Sequence, residues 1–282
     1  MNNYKYRPIR YFCIVFAFTW AFWIAAAFLS RSSTDNGMST ILMILGLFVP
    51  AVTTLVTIST SKSTALKRDF KEKITGFYRV KPVNIILSIA LMGLIIAASI
   101  ILSLLFGQST DQFSFVDGFS FSIGGIPTLL TLVLTAVLEE FGWRGYAQDS
   151  LANRFSWFKA SVIFGIVWAL WHLPLFFILN TYQHGILKMN PWYMVNFFVG
   201  IPPMAVLFTW VYVKNSRSIL ACMIFHFFVN FLQEQIAMTQ VTKCVETAVV
   251  YIIVTAIVLA NKEMFFETHH IGNMPAEKRV DY

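Results

Sequence analysis

Apolar runs alternate with short polar segments along the whole chain. The longer runs hold about 20 residues, enough for an α-helix to cross a hydrocarbon core roughly 30 Å thick. The pattern predicts about eight membrane-spanning helices, at residues 11–29, 39–59, 83–106, 126–138, 158–179, 192–213, 219–236 and 247–260. We therefore expect an all-α, polytopic membrane protein with its helices in one bundle over residues 1–260, core motifs at 126–236 and a polar cytoplasmic tail at 261–282.

The amino-acid composition supports the same class. Hydrophobic residues make up 57% of the 282 positions and charged residues only 12%, whereas soluble domains carry about 25% charged residues. A chain this apolar cannot cover its surface with polar groups, so a soluble fold is excluded. The first run is longer than the roughly 7–15 apolar residues of a signal peptide, which predicts an uncleaved first span.

Positively charged residues are distributed unevenly among the polar segments. Lysine and arginine gather in every second segment: the N-terminus, 61–81, 144–159, 214–217 and the tail. The segments between them are poor in both: 30–37, 107–125, 181–191 and 237–246. This alternation predicts that both termini lie in the cytoplasm. The formal net charge of +7 then indicates contact with anionic membrane lipid, not nucleic acid. We interpret segment 61–81, the most basic, as a surface loop or an interfacial helix.

The first candidate for chemistry is the sequence LEEFGWRG at residues 138–145, which ends an apolar run. A charged side chain at membrane depth costs roughly 2.5–3.5 kcal/mol, so it is rarely incidental. Glu140 and Arg144 are four residues apart in the order that favours an ion pair. Glu139 points about 100° away from Glu140 and is left free to act as a general base on water. The alternative is that the motif is a solvated helix end at the cytoplasmic interface.

The second candidate is His172, inside the fifth predicted span. Trp168 lies one helical turn earlier on the same face and could form the wall of a pocket. Pro174 cannot donate a backbone hydrogen bond, so we expect it to loosen or kink the helix beside His172. The alternative is a histidine that only forms a hydrogen bond between helices.

The third candidate is the pair His226 and Asn230, which share one face of the seventh predicted span. Either residue alone could serve as a hydrogen-bonding contact between helices. Polar side chains on three separate spans must each find a partner inside the protein, because lipid offers none. We therefore expect spans four, five and seven to converge, so that Glu139 meets both imidazoles and the amide in one wet pocket.

The pattern Glu139-Glu140-x-x-x-Arg144, then His172, then His226-x-x-x-Asn230 resembles the motifs of the CAAX-protease and bacteriocin-processing family, which includes the Rce1-type CAAX prenyl endopeptidases, also called Abi proteins. The resemblance covers about positions 139–230. One residue departs from the family pattern: the second motif is usually FxxxH, and Trp168 occupies the aromatic position here.

This resemblance implies an intramembrane endopeptidase that hydrolyses a peptide bond of a membrane-associated peptide or protein. By position, Glu139 would activate water and His172 would assist that water or bind a metal. His226 and Asn230 would polarise the carbonyl and hold the oxyanion, both roles being chemically reasonable for such side chains. The spacing of the residues gives supporting roles to Glu140 and Arg144, as an ion pair, and to Trp168, as a pocket wall.

The sequence leaves the metal dependence of such an enzyme open. It contains no HExxH motif, the usual zinc-peptidase signature. His172, His226 and a carboxylate could still form a Zn²⁺ site with one open position. A metal-free mechanism based on glutamate is equally compatible with the residues.

Two other functions compete with proteolysis. The chain could be an inactive member of the family, a membrane scaffold or bacteriocin-immunity factor that binds a peptide partner. A proton-coupled or small-molecule transporter would also carry Glu and His in its spans, but the sequence shows no inverted repeat or paired broken helices. The substrate, and whether it is prenylated, stays open. The span count fits a bacterial plasma membrane, with the endoplasmic reticulum as the alternative.

Overall fold

A computed structural model describes residues 4–116 and 128–267 of the chain. Its α-helices are α1 (Pro8–Leu29), α2 (Met38–Ser59), α3 (Thr64–Thr75), α4 (Pro82–Ser103), α5 (Thr128–Gly142), α6 (Gln148–Ala152), α7 (Trp157–Trp171), α8 (Tyr182–Met189), α9 (Pro191–Lys214), α10 (Ile219–Gln235), α11 (Gln240–Ala260) and α12 (Lys262–Phe266). A π-helix, Trp143–Ala147, joins α5 to α6. Short 3-10 helices occupy Phe77–Arg79, Leu104–Phe106, Thr110–Phe113 and Leu173–Phe177.

The predicted all-α membrane bundle is confirmed. Of the described helices, six are long and apolar enough to cross a membrane: α1, α2, α4, α7 with the 3-10 turn after it, α9 and α11. The other two predicted spans correspond to the shorter helices α5 and α10. Positions 126–127, where the fourth span was expected to begin, lie outside the described residues. The count of about eight spans is therefore approximate.

The two shorter helices lie at the centre of the bundle. Helix α5 packs against α2 on one side and α10 on the other, while α7 packs against α9. Helices α4 and α11 pack together, and α11 also contacts α9. The helices that carry the three candidate motifs are thus held from outside by longer, more apolar neighbours.

Close backbone packing holds α5 against α2. A Cβ atom at Gly142 would lie 2.5 Å from Cβ of Pro50 and 2.8 Å from its carbonyl carbon, so a larger residue would push the helices apart. Pro50 has no N–H, which frees the carbonyl of Gly46 within α2. The Thr19 hydroxyl of α1 donates to that carbonyl at 3.2 Å. Helix α1 therefore compensates for the proline that allows α2 and α5 to approach.

The basic segments of the chain gather at one end of the bundle, which we call the basic end. The backbone N–H of Arg7 donates to the Tyr146 hydroxyl at 3.0 Å. Arg79 donates to the carbonyl of Ser216 at 3.1 Å. Because these contacts join the N-terminus to 144–159 and 61–81 to 214–217, segments expected on one side of the membrane do lie together.

Four of the charged side chains buried at the basic end form one network; we call Asp69, Lys73, Asp149 and Arg217 the ion cluster. The Lys73 ammonium lies 2.7 Å from Asp149, and Arg217 donates twice to Asp69, at 3.1 and 2.8 Å. Arg217 also donates to Asp149. Burial acts to lower the pKa of Arg217, but Asp149 and Asp69 raise that pKa well above its usual value. Part of segment 61–81 forms a helix, α3, as one of the two expectations had it. The charged residues Asp69 and Lys73 of this helix, however, are buried inside the protein.

The start of the predicted polar tail is folded. Residues 262–266 form α12, with Phe265 fully buried and Phe266 in ring contact with Phe158 at 5.2 Å. The apolar pair Phe265-Phe266 explains this difference from the prediction, because it can pack against α7. The remainder of the predicted tail, 268–282, lies outside the described residues.

Candidate active site

The three candidate motifs line one cavity of about 340 Å³ inside the bundle. Glu139 enters from α5, Trp168 and His172 from the end of α7, and His226 and Asn230 from α10. The structure therefore brings together the polar side chains that the sequence distributes over three spans. The alternative of a solvated helix end at residues 138–145 is not what the structure shows, because Glu139 is only 3% exposed.

Glu139 is held by two indole groups. Its Oε2 atom accepts hydrogen bonds from Trp143 Nε1 at 3.2 Å and from Trp168 Nε1 at 2.8 Å. Both donors reach the same oxygen, so Oε1 receives neither of them. The carboxylate is thus oriented by neutral donors while one oxygen stays available to a ligand in the cavity.

Trp143 did not stand out in the sequence analysis. The signal that could have identified it is its spacing, four residues after Glu139 on the same helical face. Trp168 was expected only as a pocket wall. Its hydrogen bond to Glu139 is a function that phenylalanine, the usual family residue at this position, could not perform.

Glu140 faces away from the cavity into a fully buried ion pair. Its Oε1 accepts from Arg144 Nη1 at 3.0 Å, as the spacing predicted. The guanidinium lies over the rings of Phe164 and Phe208, at 4.9 and 4.8 Å from their centroids. Such cation–π contacts stabilise a positive charge that has left water.

Glu140 also holds one of the candidate catalytic histidines. Nδ1 of His226 lies 2.9 Å from Glu140 Oε1. Because a carboxylate paired with arginine can only accept, Nδ1 carries the hydrogen of this bond. Nε2 is then the ring nitrogen left for the cavity. Glu140 thus both neutralises Arg144 and orients His226, a contact between residues that are 86 positions apart.

His172 lies where α7 ends. The helix stops at Trp171, and a 3-10 helix containing Pro174 follows, as the proline predicted. Nδ1 of His172 donates to the Trp168 carbonyl at 2.7 Å. In the neutral ring, Nε2 therefore carries a lone pair and can accept a hydrogen bond from water. The ring is 8% exposed and packs edge-on against Trp171.

The π-helix Trp143–Ala147 connects the site to the ion cluster. Wide turns of this kind leave backbone carbonyls without regular helical partners and often occur at functional sites. Lys73 Nζ donates to the carbonyls of Arg144 and Gly145 at 3.2 and 3.1 Å, and the Tyr212 hydroxyl donates to that of Arg144 at 3.2 Å. A buried ammonium and a tyrosine therefore stabilise the turn that follows Glu139 and Glu140.

The rest of the cavity is lined by both polar and apolar side chains. Polar side chains that the sequence analysis did not assign to the site also line it: Thr135, Tyr182, Gln183, Asn196, Gln233, Gln240, Lys243 and Glu246. Gln233 donates to Glu246 within it. Glu234, which continues the polar face of Asn230 in the sequence, also lines the cavity. Apolar lining includes Leu132, Phe197, Ile201, Met204 and Val229.

The residues present do not fit a zinc site. In the described ranges, 4–116 and 128–267, no three His, Cys, Asp or Glu side chains are grouped so that they could hold a metal ion. A catalytic zinc needs three protein ligands, so no step is assigned to a metal.

Comparisons with known proteins agree with this geometry. The family model for type II CAAX prenyl endopeptidase Rce1-like proteins matches residues 120–232, which contain all three motifs. The chain is 45% identical to CAAX prenyl protease 2 of Methanococcus maripaludis over 267 residues, covering 95% of this chain and 98% of the relative. It is 26% identical to lysostaphin resistance protein A of Staphylococcus haemolyticus over 169 residues, covering 58% and 43%. The chain therefore belongs to the Rce1-like family of type II CAAX prenyl endopeptidases and is an integral-membrane peptidase.

Proposed function

We propose that the protein hydrolyses a peptide bond of a membrane-associated substrate with water activated by Glu139, without a metal ion. One observation carries the proposal: a buried carboxylate with one oxygen held by two indoles faces a cavity that two imidazoles and an amide also line. A general base must lie within hydrogen-bond reach of the proton it removes, and Oε1 of Glu139 is the atom available for this.

In the proposed reaction, water lies between Glu139 Oε1 and Nε2 of His172, which accepts its second hydrogen. Glu139 takes one proton as the water oxygen attacks the carbonyl carbon of the scissile bond. The tetrahedral intermediate collapses as the C–N bond breaks, and the proton on Glu139 passes to the leaving nitrogen. One water is consumed, and a carboxylic acid and an amine are formed.

The oxyanion of the intermediate receives hydrogen bonds from the opposite wall. Asn230 donates through its amide nitrogen, and His226 donates through Nε2 when both of its ring nitrogens carry hydrogens. Glu140 acts through His226 and is a positioning residue. General-base catalysis contributes about 10²–10⁴-fold to a rate, and a single oxyanion donor about 10²–10³-fold, so each of these residues should matter measurably.

The substrate that the cavity suits best is a C-terminal peptide carrying a prenyl group. The relative with 45% identity is called a CAAX prenyl protease, and the polar and apolar linings match a peptide joined to a hydrocarbon chain. We further propose that the basic end, with both termini, faces the cytoplasm, since lysine and arginine favour that side. We propose the plasma membrane of a prokaryote as the location of the protein.

A second candidate is a membrane scaffold or bacteriocin-immunity factor that binds a peptide without cleaving it. The observation in its favour is the partial similarity to a lysostaphin resistance protein. The two candidates differ in a single property, turnover of the bound peptide.

Purified protein in detergent should be tested with a fluorogenic farnesylated peptide and its unmodified twin. Glu139→Gln preserves the shape of the side chain and should lower cleavage about 10²–10⁴-fold, and His172→Ala should lower it similarly. Glu263→Gln is the control, because that carboxylate is exposed on α12 outside the cavity. Metal chelators should leave the rate unchanged.

Full activity in Glu139→Gln would refute the assignment of the base. Loss of activity with chelators, restored by Zn²⁺, would refute the metal-free mechanism. Saturable binding of either peptide without any cleavage by the unaltered protein would favour the scaffold.

A further inference from the structure

A second, larger concave surface shares no lining residue with the active-site cavity. It is a groove of about 810 Å³ between α1 and α2, compared with about 340 Å³ for the active-site cavity. Its walls are apolar over most of their length: Ile14, Phe18 and Phe22 from α1, and Leu45, Phe48, Val52 and Val56 from α2. Phe18 is 56% exposed and Val52 49%. The groove therefore opens toward the surrounding lipid.

One mouth of the groove is strongly basic. Lys5, Arg7, Arg10 and Lys62 line it, and the lining contains no aspartate or glutamate. In the part of the chain that the structure describes, none of these four side chains forms an ion pair. Four cations at the membrane surface, with no carboxylate to balance them, favour the binding of an anionic ligand.

The dimensions of the groove match one leaflet of a bilayer. From Arg10 to Phe22, α1 rises roughly 18 Å at 1.5 Å per residue. Half of a hydrocarbon core is about 15 Å thick. A molecule with its anionic head at Arg10 would therefore place its hydrocarbon tail along the groove within the same leaflet.

The basic mouth is built on an ordered part of the fold. Tyr146 closes it, and its hydroxyl bonds to the hydroxyl of Tyr4 and to the backbone N–H of Arg7, both at 3.0 Å. Tyr146 belongs to the π-helix that follows Arg144. The N-terminal cations are thereby held next to the turn that follows Glu139 and Glu140.

We propose that this groove is a binding site for one anionic phospholipid. The phosphate lies among Arg7, Arg10 and Lys62, and one acyl chain follows the apolar walls of α1 and α2. A zwitterionic lipid does not match four unbalanced cations. The hydrocarbon chain of a substrate would use the walls but would leave the cations without a partner.

Native mass spectrometry of the detergent-solubilised protein tests the site, with phosphatidylglycerol and phosphatidylcholine of identical acyl chains as probes. The protein should retain one phosphatidylglycerol in preference to phosphatidylcholine. Arg10→Ala with Lys62→Ala should weaken the retained binding about 30-fold, that is about 2 kcal/mol. Lys67→Ala with Lys71→Ala removes the same charge from exposed positions of α3 outside the groove and should leave binding unchanged.

The apolar half of the groove has its own test. Val52→Trp should fill it and release the lipid while every cation remains, whereas Ile101→Trp, on the exposed face of α4, should not. Equal losses in the two double variants would show non-specific attraction and overturn the proposal, as would equal retention of both lipids. Retention of a farnesylated peptide that only Val52→Trp abolishes, without preference for phosphatidylglycerol, would assign the groove to substrate instead.

Discussion

Two sets of buried charges lie on either side of the π-helix, and they are arranged in opposite ways. In the ion cluster, two cations and two carboxylates neutralise each other, with Lys73 and Arg217 both meeting Asp149. In the active-site cavity, Glu139 is equally buried, but no described ion pair includes it, and its partners are two neutral indoles.

The difference separates structural charges from reactive ones. A buried ion network in which every charge has a partner contributes to a unique packing and has no capacity left for chemistry. A buried carboxylate that is oriented but not neutralised keeps an oxygen free to take a proton from a ligand within hydrogen-bond reach. Burial alone would not have distinguished the two regions.

The largest expected effect comes from opening the ion cluster. Asp149→Ala leaves Lys73 and Arg217 with one carboxylate between them and removes an acceptor of the Tyr212 hydroxyl, which lies 3.1 Å away. Breaking a buried pair in this way costs about 3–5 kcal/mol, so the thermal midpoint in detergent should fall sharply. Asp149→Asn, which keeps a side-chain oxygen as an acceptor for the Tyr212 hydroxyl, should lose less stability. A loss of stability below about 1 kcal/mol in Asp149→Ala would contradict the structural role of the ion cluster.

Removing one donor from Glu139 should affect catalysis more than stability. Trp168→Phe keeps the aromatic ring and deletes the N–H that reaches Oε2 at 2.8 Å. A hydrogen bond to a charged group contributes about 1.5–3 kcal/mol, so kcat should fall about 10–100-fold with little change in KM. Trp171→Phe is the matched control, because the Trp171 indole nitrogen is buried without a partner among the described residues. Equal kcat values in the two variants would remove the role assigned to Trp168.

A methyl group added between α2 and α5 should displace α5. That helix carries Glu139 and continues into the π-helix beside the ion cluster, so both the active-site cavity and the ion cluster should be disturbed. Gly142→Ala would place Cβ 2.5 Å from that of Pro50, whereas Gly93 on α4 has no atom within 4 Å of the same position. Overpacking typically costs at least about 1 kcal/mol, so Gly142→Ala should unfold at a lower temperature and Gly93→Ala should not. The same thermal midpoint in both variants would mean that α2 and α5 move apart without a cost in free energy.

The smallest effect is expected from an exposed ion pair on the same helix as Lys73. Arg68 lies 2.7 Å from Glu72 but is 78% exposed. Pairs of this kind on a helix contribute about 0.3–0.5 kcal/mol, so Arg68→Ala should change the thermal midpoint by about 1–2 °C or less. A loss of stability comparable to that of Asp149→Ala would show that burial in the ion cluster does not determine how much an ion pair contributes.

The features of the structure that the sequence predicts correctly are those that local interactions determine. The apolar runs identified the helices, because each span satisfies its own backbone hydrogen bonds. The spacing of Glu140 and Arg144 predicted their ion pair, and Pro174 predicted the end of α7. That the three motifs meet was inferred from the cost of leaving polar groups in lipid, and the cavity agrees with it.

The contacts that the sequence does not predict are those whose partners come from distant segments of the chain. The basic segment 61–81 read as a surface element, yet its Lys73 is fully buried against Asp149, 76 positions away. A charge pattern predicts contact with solvent unless an opposite charge is known to lie nearby, and that knowledge requires the fold. Phe265 was likewise missed, since a short apolar pair in a polar tail has no periodicity.

By itself, then, the sequence determined the class of the protein, its spans and the polar side chains that had to face inward, because the membrane penalises every unpaired polar group. Only the tertiary structure decided which partner each of those groups found: His226 bonds to Glu140, and the indole of Trp168 to Glu139. The physical reason is that helix formation depends on neighbours a few residues apart, whereas a hydrogen bond between helices depends on how the whole bundle packs.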